Sequence, residues 1–263
     1  MVELVTPISH LFHMDSETGA KILDMSDSLE CRDRSFDSSM PKQKLFHCEY
    51  QPIHKFSDDA FRYFEAISKN KPNLKLVSFH IASCCDQPSI SNGMFELGGK
   101  KYDRDEMVNN AKENFSLIKN IFGDGVSIAV ENNNYYPTEA YEYVTDPSFI
   151  NEIVNECDLK ILFDIAHAKV SCINGGINYI DYRDSLQLEK VIQLHICKHG
   201  IRENKQQAYD AHDYPTDVEF NEVDYLTRSY PNIKYLTIEY YKDFDNLRNS
   251  IERFRHLHVL NNQ

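Results

Sequence analysis

The sequence predicts a single (β/α)8 barrel, a TIM barrel, over residues 1–263. Three observations predict it. Eight short apolar runs, each about the length of a buried strand, recur along the chain. Stretches with helical spacing lie between most of them. Histidine, aspartate or glutamate stands at or just past the end of run after run, at the edge where barrels of this kind carry their active sites.

In chain order, the first run is Glu3–Ile8. The second, Leu29–Arg32, lies in a polar region rich in Ser, Asp and Arg that continues to the third run, Lys44–Cys48. The connections after the first and second runs show no clear helix. After the third run, FSDDAFRYFEAISKN offers Ser57 as an N-cap and apolar residues at helical spacing. The fourth run is Leu74–Ile81. The helical stretch that follows, DRDEMVNNAKENFSLIKNIFGDG, runs into Gly123 and Gly125, where a helix can stop. The fifth run is Val126–Val130. TDPSFINEIVNEC has Asp146 as a cap and Pro147 at the first helical position. Lys160–Phe163, Val191–Ile196 and Tyr235–Ile238 complete the eight, and NLRNSIERFRHLHVL closes the chain as a helix. A doubly wound open sheet is the alternative, but no GxGxxG follows any run.

The bulk composition narrows the partners. A formal net charge of −13 repels nucleic-acid phosphates unless basic residues are concentrated locally, and Lys and Arg are scattered. No apolar run approaches a membrane span. The opening MVELVTPISH lacks a basic region followed by an apolar core, and the seven cysteines include no CxxC. A cytoplasmic protein with reduced thiols is expected, with no nucleic-acid or membrane partner.

The run ends supply the chemistry. They place His47, His80, Glu131, Asp164, His167, His195 and Glu239, and the loop after the seventh run adds Asp210 and His212. Burying five imidazoles and four carboxylates without compensation is costly, and bound cations compensate by neutralising carboxylates and using imidazole lone pairs. Nine ligands exceed the needs of one divalent ion, so two or three ions are expected. A mixed N/O set without an obvious thiolate suits iron, manganese or zinc. Singly, each such residue is more often structural. DxxH at Asp164–His167 and DxH at Asp210–His212 carry little information alone, and the weight lies in the joint pattern. Of the other imidazoles, His10 is a further candidate at the end of the first run. His13, His54, His256 and His258 are expected at the surface, and His199 in a solvated loop. Cys84 and Cys85 are expected to pack as small apolar groups.

The segments VSFHIAS, IAVENNNYY, ILFDIAHAKVSCINGG, LHICKHG followed by DAHDYPT, and LTIEYYKD resemble the xylose-isomerase-like TIM-barrel superfamily. Within it the chain is most similar to the multinuclear non-heme iron-dependent oxidative enzymes of the methanobactin-biosynthesis type. The resemblance spans residues 77–243. It implies a cytoplasmic enzyme of natural-product biosynthesis that holds two or three iron ions and uses O2 as co-substrate. Its substrate would be a ribosomally made precursor peptide, modified at Cys or another residue, with a partner protein that recognises the leader. The implied ligands are His47, His80, Glu131, Asp164, His167, His195, Asp210, His212 and Glu239, with Glu131, Asp164 and His195 at the catalytic centre. Asn132 and Asn174 are implied as supports of the ligands. Where many relatives have Ala-Gly after the seventh-strand His, this chain has Cys197-Lys198; the change bears on the substrate pocket rather than on the metals.

Three other readings compete. A divalent-metal sugar isomerase or epimerase would use Glu131 and Glu239 as paired acid and base across one ion, leaving several imidazoles idle. A three-zinc phosphodiesterase acting on damaged DNA fits the ligands but not the charge. A metal-binding scaffold or sensor is the non-enzymatic reading.

Overall fold

The structure, a computed structural model, describes residues 2–203 and 206–260, without the side chains of 258–260. Eight parallel strands close into one barrel: β1 (Glu3–Pro7), β2 (Ser28–Arg32), β3 (Gln43–Cys48), β4 (Leu76–His80), β5 (Ser127–Glu131), β6 (Lys160–Asp164), β7 (Val191–Ile196) and β8 (Tyr235–Ile238). Each pairs with its sequence neighbours, and β8 pairs with β1 to complete the ring. Closure rules out the doubly wound alternative. Among the described residues eight α-helices surround it: α1 (Ser16–Met25), α2 (Asp58–Asn70), α3 (Arg104–Phe122), α4 (Pro147–Glu156), α5 (Ile165–Gly175), α6 (Tyr179–Ser185), α7 (Asp217–Ser229) and α8 (Phe244–Leu260).

The period-2 alternation of a strand explains both the core and the site. Outward residues such as Phe46, Phe79, Val130, Phe163 and Leu194 join the large core between barrel and helices. Inward residues Val5, Leu45, Leu76, Ala129, Leu162 and Tyr235 form a separate apolar plug inside the barrel. Two or four residues further along, on the same inward side, come His47, His80, Glu131 and Asp164 within their strands and Glu239 just past the end of β8. The barrel is thus apolar below and polar above.

The β1–β2 connection departs from the sequence expectation: it holds a 3-10 turn, His10–His13, and then α1. The helix was hard to read because Gly19 interrupts its pattern. The glycine is needed there, since a Cβ would lie 2.6 Å from the Phe12 carbonyl oxygen. Asp15 caps α1 by accepting a hydrogen bond from Thr18 N. The β2–β3 connection holds only a 3-10 turn, Asp33–Ser35, and no α-helix. Among the described residues no helix is long and apolar enough to cross a membrane.

Candidate metal centre

The strand register assembles the site. His80 on β4 stands opposite Glu131 on β5, and Asp164 on β6 opposite His195 on β7. Asp164 ends its strand and is also the N-cap of α5, accepting a 2.7 Å hydrogen bond from His167 N. That dual position explains the DxxH spacing: a strand-end carboxylate turns the chain into a helix, and the first turn brings His167 back over it. Asp210 and His212, expected in a loop, instead lie on a strand. It spans Gln207–Asp213 and pairs antiparallel with Lys198–Arg202 to form a hairpin above the barrel. His199, expected in a solvated loop, is half-buried on the partner strand. His212 itself adopts φ +43°, a left-handed conformation rare for a side-chain-bearing residue.

Glu131 is the hub. Its Oε2 lies 3.4 Å from His47 Nε2 and 3.3 Å from His80 Nδ1, and its Oε1 lies 3.4 Å from His195 Nδ1. His195 Nδ1 also faces Glu239 Oε1 at 3.3 Å and Asp164 Oδ2 at 3.8 Å. His167 Nε2 lies 3.5 Å from Asp210 Oδ2, and His212 Nε2 lies 3.2 Å from that same oxygen and 3.4 Å from Glu239 Oε2. All nine side chains singled out from the sequence therefore meet at one mouth of the barrel.

Their supports are legible too. Ser78 Oγ pairs with His47 Nδ1 at 2.8 Å, turning Nε2 toward Glu131. Asn132 bonds Asp164 through both its backbone groups, at 2.8 and 2.9 Å, and its own carbonyl lies 3.0 Å from His167 Nδ1. Asn174 sits farther out, where its amide exchanges two hydrogen bonds with the backbone of Ala208. It thereby clamps the strand that carries Asp210 and His212.

Two residues escaped the sequence reading. Glu30 on β2 is wholly buried and accepts hydrogen bonds at Oε2 from His195 Nε2 (3.0 Å), Gln193 Nε2 (2.6 Å) and Thr237 Oγ1 (3.2 Å). Arg32 contacts Glu30 Oε1 at 3.0 Å and also pairs with Glu239. The missed signal is Ser28, Glu30 and Arg32 at alternate positions of a short strand, the period that brought the ligands inward elsewhere. Among the remaining expectations, His54 is a correction. It is buried, not exposed, because it stacks on Tyr102 and bonds the Ser83 carbonyl at 2.8 Å. His13 and His256 are exposed, Cys84 and Cys85 are buried, and the side chain of His258 lies outside the described residues. Cys197 is buried with Sγ 3.7 Å from Asp210 Oδ1, and burial keeps its thiol protonated well above the usual range.

The electrostatics are those of a site built for positive charge. Burial opposes ionisation of Glu131, yet the His47 and His167 imidazoles overcome it and hold the carboxyl well below its usual range. Burial raises Asp164 to about 6. His195 is pushed up to about 9: burial works against its charge, and Glu30 and Glu131 outweigh burial. His80 drops to about 3, through burial and then the neighbouring His47. Three fully enclosed atoms, Glu131 Oε2, Asp164 Oδ2 and His195 Nδ1, have no hydrogen-bond partner. Unpartnered buried acceptors are costly, and these three sit at the focus of the cluster. Metal-compatible groups occur at His47, His80 and Glu131, at Glu131, Asp164 and His195, and at Glu30, His195 and Glu239. The donor set fits cations. In the last group, however, Arg32 and the His195 Nε2 hydrogen bond already occupy Glu30.

Comparison with solved structures gives a likeness of fold. The chain aligns over 98% of its length, and over all of the other chain, with 3-keto-D-glucoside 4-epimerase YcjR from E. coli (TM-score 0.64, 14% identity). It aligns with a D-psicose 3-epimerase from Clostridium cellulolyticum H10 over 97% of its length and 99% of that chain (TM-score 0.63, 11% identity). Among curated sequences it is 29% identical over 91 residues to a UPF0276 protein of Acaryochloris marina, which is 35% of this chain and 32% of that one. It is 26% identical over 122 residues to a UPF0276 protein of Neisseria meningitidis serogroup B, 44% of this chain and 42% of that one. The matches span a third to less than half of these relatives' lengths. The profile described as RiPP precursor modification enzyme MbnB/TglH/ChrH matches residues 58–257, from the first turn of α2 into α8. The match covers most of the chain and every ligand candidate except His47, and with it the chain belongs to the MbnB/TglH/ChrH family of RiPP precursor modification enzymes.

Proposed function

We propose that this chain is a non-heme iron oxidoreductase holding two or three ions, which uses O2 to modify a residue, Cys first among candidates, of a ribosomally made precursor peptide. The observation that carries the proposal is the convergence of nine imidazoles and carboxylates around three enclosed, unpartnered atoms, within a family of peptide-modifying enzymes. One ion would be held by His47, His80 and Glu131, and a second by Glu131, Asp164 and His195, with Glu239 beside them; His167 and His212 each face Asp210, at 3.5 and 3.2 Å, and would extend the set toward a third. Bound iron supplies a Lewis acid that favours a substrate thiolate and the redox capacity to use O2.

The chain's own residues do the rest. Glu30 accepts the hydrogen bond of His195 Nε2 and leaves Nδ1 facing the cluster. Asn132 holds Asp164 and His167 in register. The plug of Leu45, Leu76 and Leu162 seals the barrel beneath, so substrate enters from the mouth, and the hairpin with Asp210 and His212 roofs one side of it.

The epimerase likeness favours a second reading. Glu131 and Glu239 flank His195 Nδ1 at 3.4 and 3.3 Å, an acid–base pair about one ion. Anaerobic reconstitution with Fe(II) and a metal count separate the two. Two or three irons, followed by a mass change in a Cys-containing precursor peptide on O2 addition with its leader-recognition partner present, is the expected result. One Mn or Mg per chain with sugar turnover, or an unchanged peptide mass, overturns the proposal.

A further inference from the structure

A cavity of about 670 Å³ opens at the C-terminal ends of β1 and β2 and beside the segment after β8. It is lined in part by His10, His13, Arg32, Arg34, Asp37 and Tyr241. Two guanidinium groups and two imidazoles thus face one carboxylate, in a chain whose net charge is −13. The short β2–β3 connection leaves this space open, because where most units place a helix this one has a single 3-10 turn.

The cavity adjoins the metal centre through two residues. Arg32 pairs on its inner side with Glu30 and Glu239, through Nε and Nη2, while its Nη1 has no partner among the described residues. Tyr241 packs against His212, its ring tilted by 36° and the centroids 5.2 Å apart. An anion seated against Arg32 Nη1 therefore lies next to the Glu239–His212 edge of the ligand cluster. Arg34, His10 and His13 have no ion pair among the described residues, so their donors are available.

We infer that this cavity binds a carboxylate of the substrate and so sets which atoms of the peptide reach the Glu239–His212 edge. A guanidinium presents paired N–H donors that match a carboxylate. The inference rests on the peptide substrate proposed above. The carboxylate has two possible sources, the chain end of the peptide or an acidic side chain next to the modified residue.

The test measures binding, not turnover. The metal-loaded chain is titrated calorimetrically with four matched Cys-containing peptides: free C-terminal acid, C-terminal amide, amide with Asp beside the Cys, and amide with Asn there. Tighter binding by about tenfold for one acid over its neutral match is expected, and which acid gains identifies the source. Arg34→Gln, an exposed position outside the ligand cluster, should abolish that gain while leaving metal content and melting temperature unchanged. Equal affinity across the four peptides, absence of binding by all of them, or a gain that survives in Arg34→Gln overturns the inference. Failure of peptide oxidation alone leaves this binding difference standing, so the two proposals fail separately.

Discussion

Replacing Glu30 with Gln tests whether His195 is held in place by a carboxylate that is not itself a ligand. Glu30 is wholly enclosed, and one carboxylate serves His195, Gln193, Thr237 and Arg32. Gln keeps the volume and removes the charge. It also puts an NH2 group where donors now converge, so at least one donor loses its acceptor. Breaking a buried charge pair from one side costs about 3–5 kcal/mol. Arg32 retains Glu239, so the lower end, about 3 kcal/mol, is expected for the metal-free protein. A lost carboxylate–histidine support lowers metal affinity by about 10–100-fold. Chemical denaturation reads the first quantity, and a chelator-competition titration reads the second. Thr237→Val is the calibrating variant: it keeps the Glu30 charge but removes a hydroxyl that donates to Glu30 Oε2 at 3.2 Å and accepts from Gln193 Nε2 at 2.8 Å, and it should cost about 2 kcal/mol with metal affinity unchanged. Wild-type metal affinity in Glu30→Gln, with the fold intact, would refute the assignment of Glu30 as the residue that orients His195.

The metal-free protein should lose stability as pH rises from about 6.5 to about 9. His195 has a raised pKa of about 9, so the stability its charged form contributes is complete below its ordinary value near 6.5 and is lost as pH passes through the folded value. The effect is on the order of 3 kcal/mol. Metal loading should reverse the trend, because ligands bind ions in their deprotonated forms; melting temperatures with and without ion across that range check both statements. Asn174→Ala should reduce bound metal by about one ion per chain while sparing the remainder, since its amide ties the strand with Asp210 and His212 to the Tyr135 carbonyl and bonds no other ligand-bearing strand; elemental analysis reads the count, and full retention counts against the clamp. Cys197→Ala should leave metal content unchanged, because among the described residues its thiol joins none of the metal-compatible groups. A drop in bound iron would make Cys197 a ligand.

Much of the architecture was readable because it rests on local periodicity. A buried strand writes itself as a short apolar run; α2 and α4 start directly after Ser57 and Asp146, with Pro147 opening α4 and neither cap side chain bonding the helix, and α3 stops at Gly123. Where a second demand overrode that chemistry, the reading weakened. Gly19 serves a close backbone approach at the expense of helical propensity, and α1 was missed. His54 looked like one more polar residue before a helix, and only the packing of Tyr102 and Ser83 enclosed it.

Local alternation along the chain already places imidazoles or carboxylates at inward positions near the ends of most strands and in the segment after β7. Alternation along a strand is a local property, so the ligand types were visible one strand at a time. Which oxygen faces which nitrogen was decided by closure of the barrel, because register between strands depends on the packing of the whole ring. The same closure brought Glu30 and Arg32 of β2 against His195 and Glu239, residues some 160 to 210 positions away in the chain. No short-range pattern encodes contacts at that separation; they exist because a parallel sheet, curled until its edges meet, points its inward side chains at a common axis.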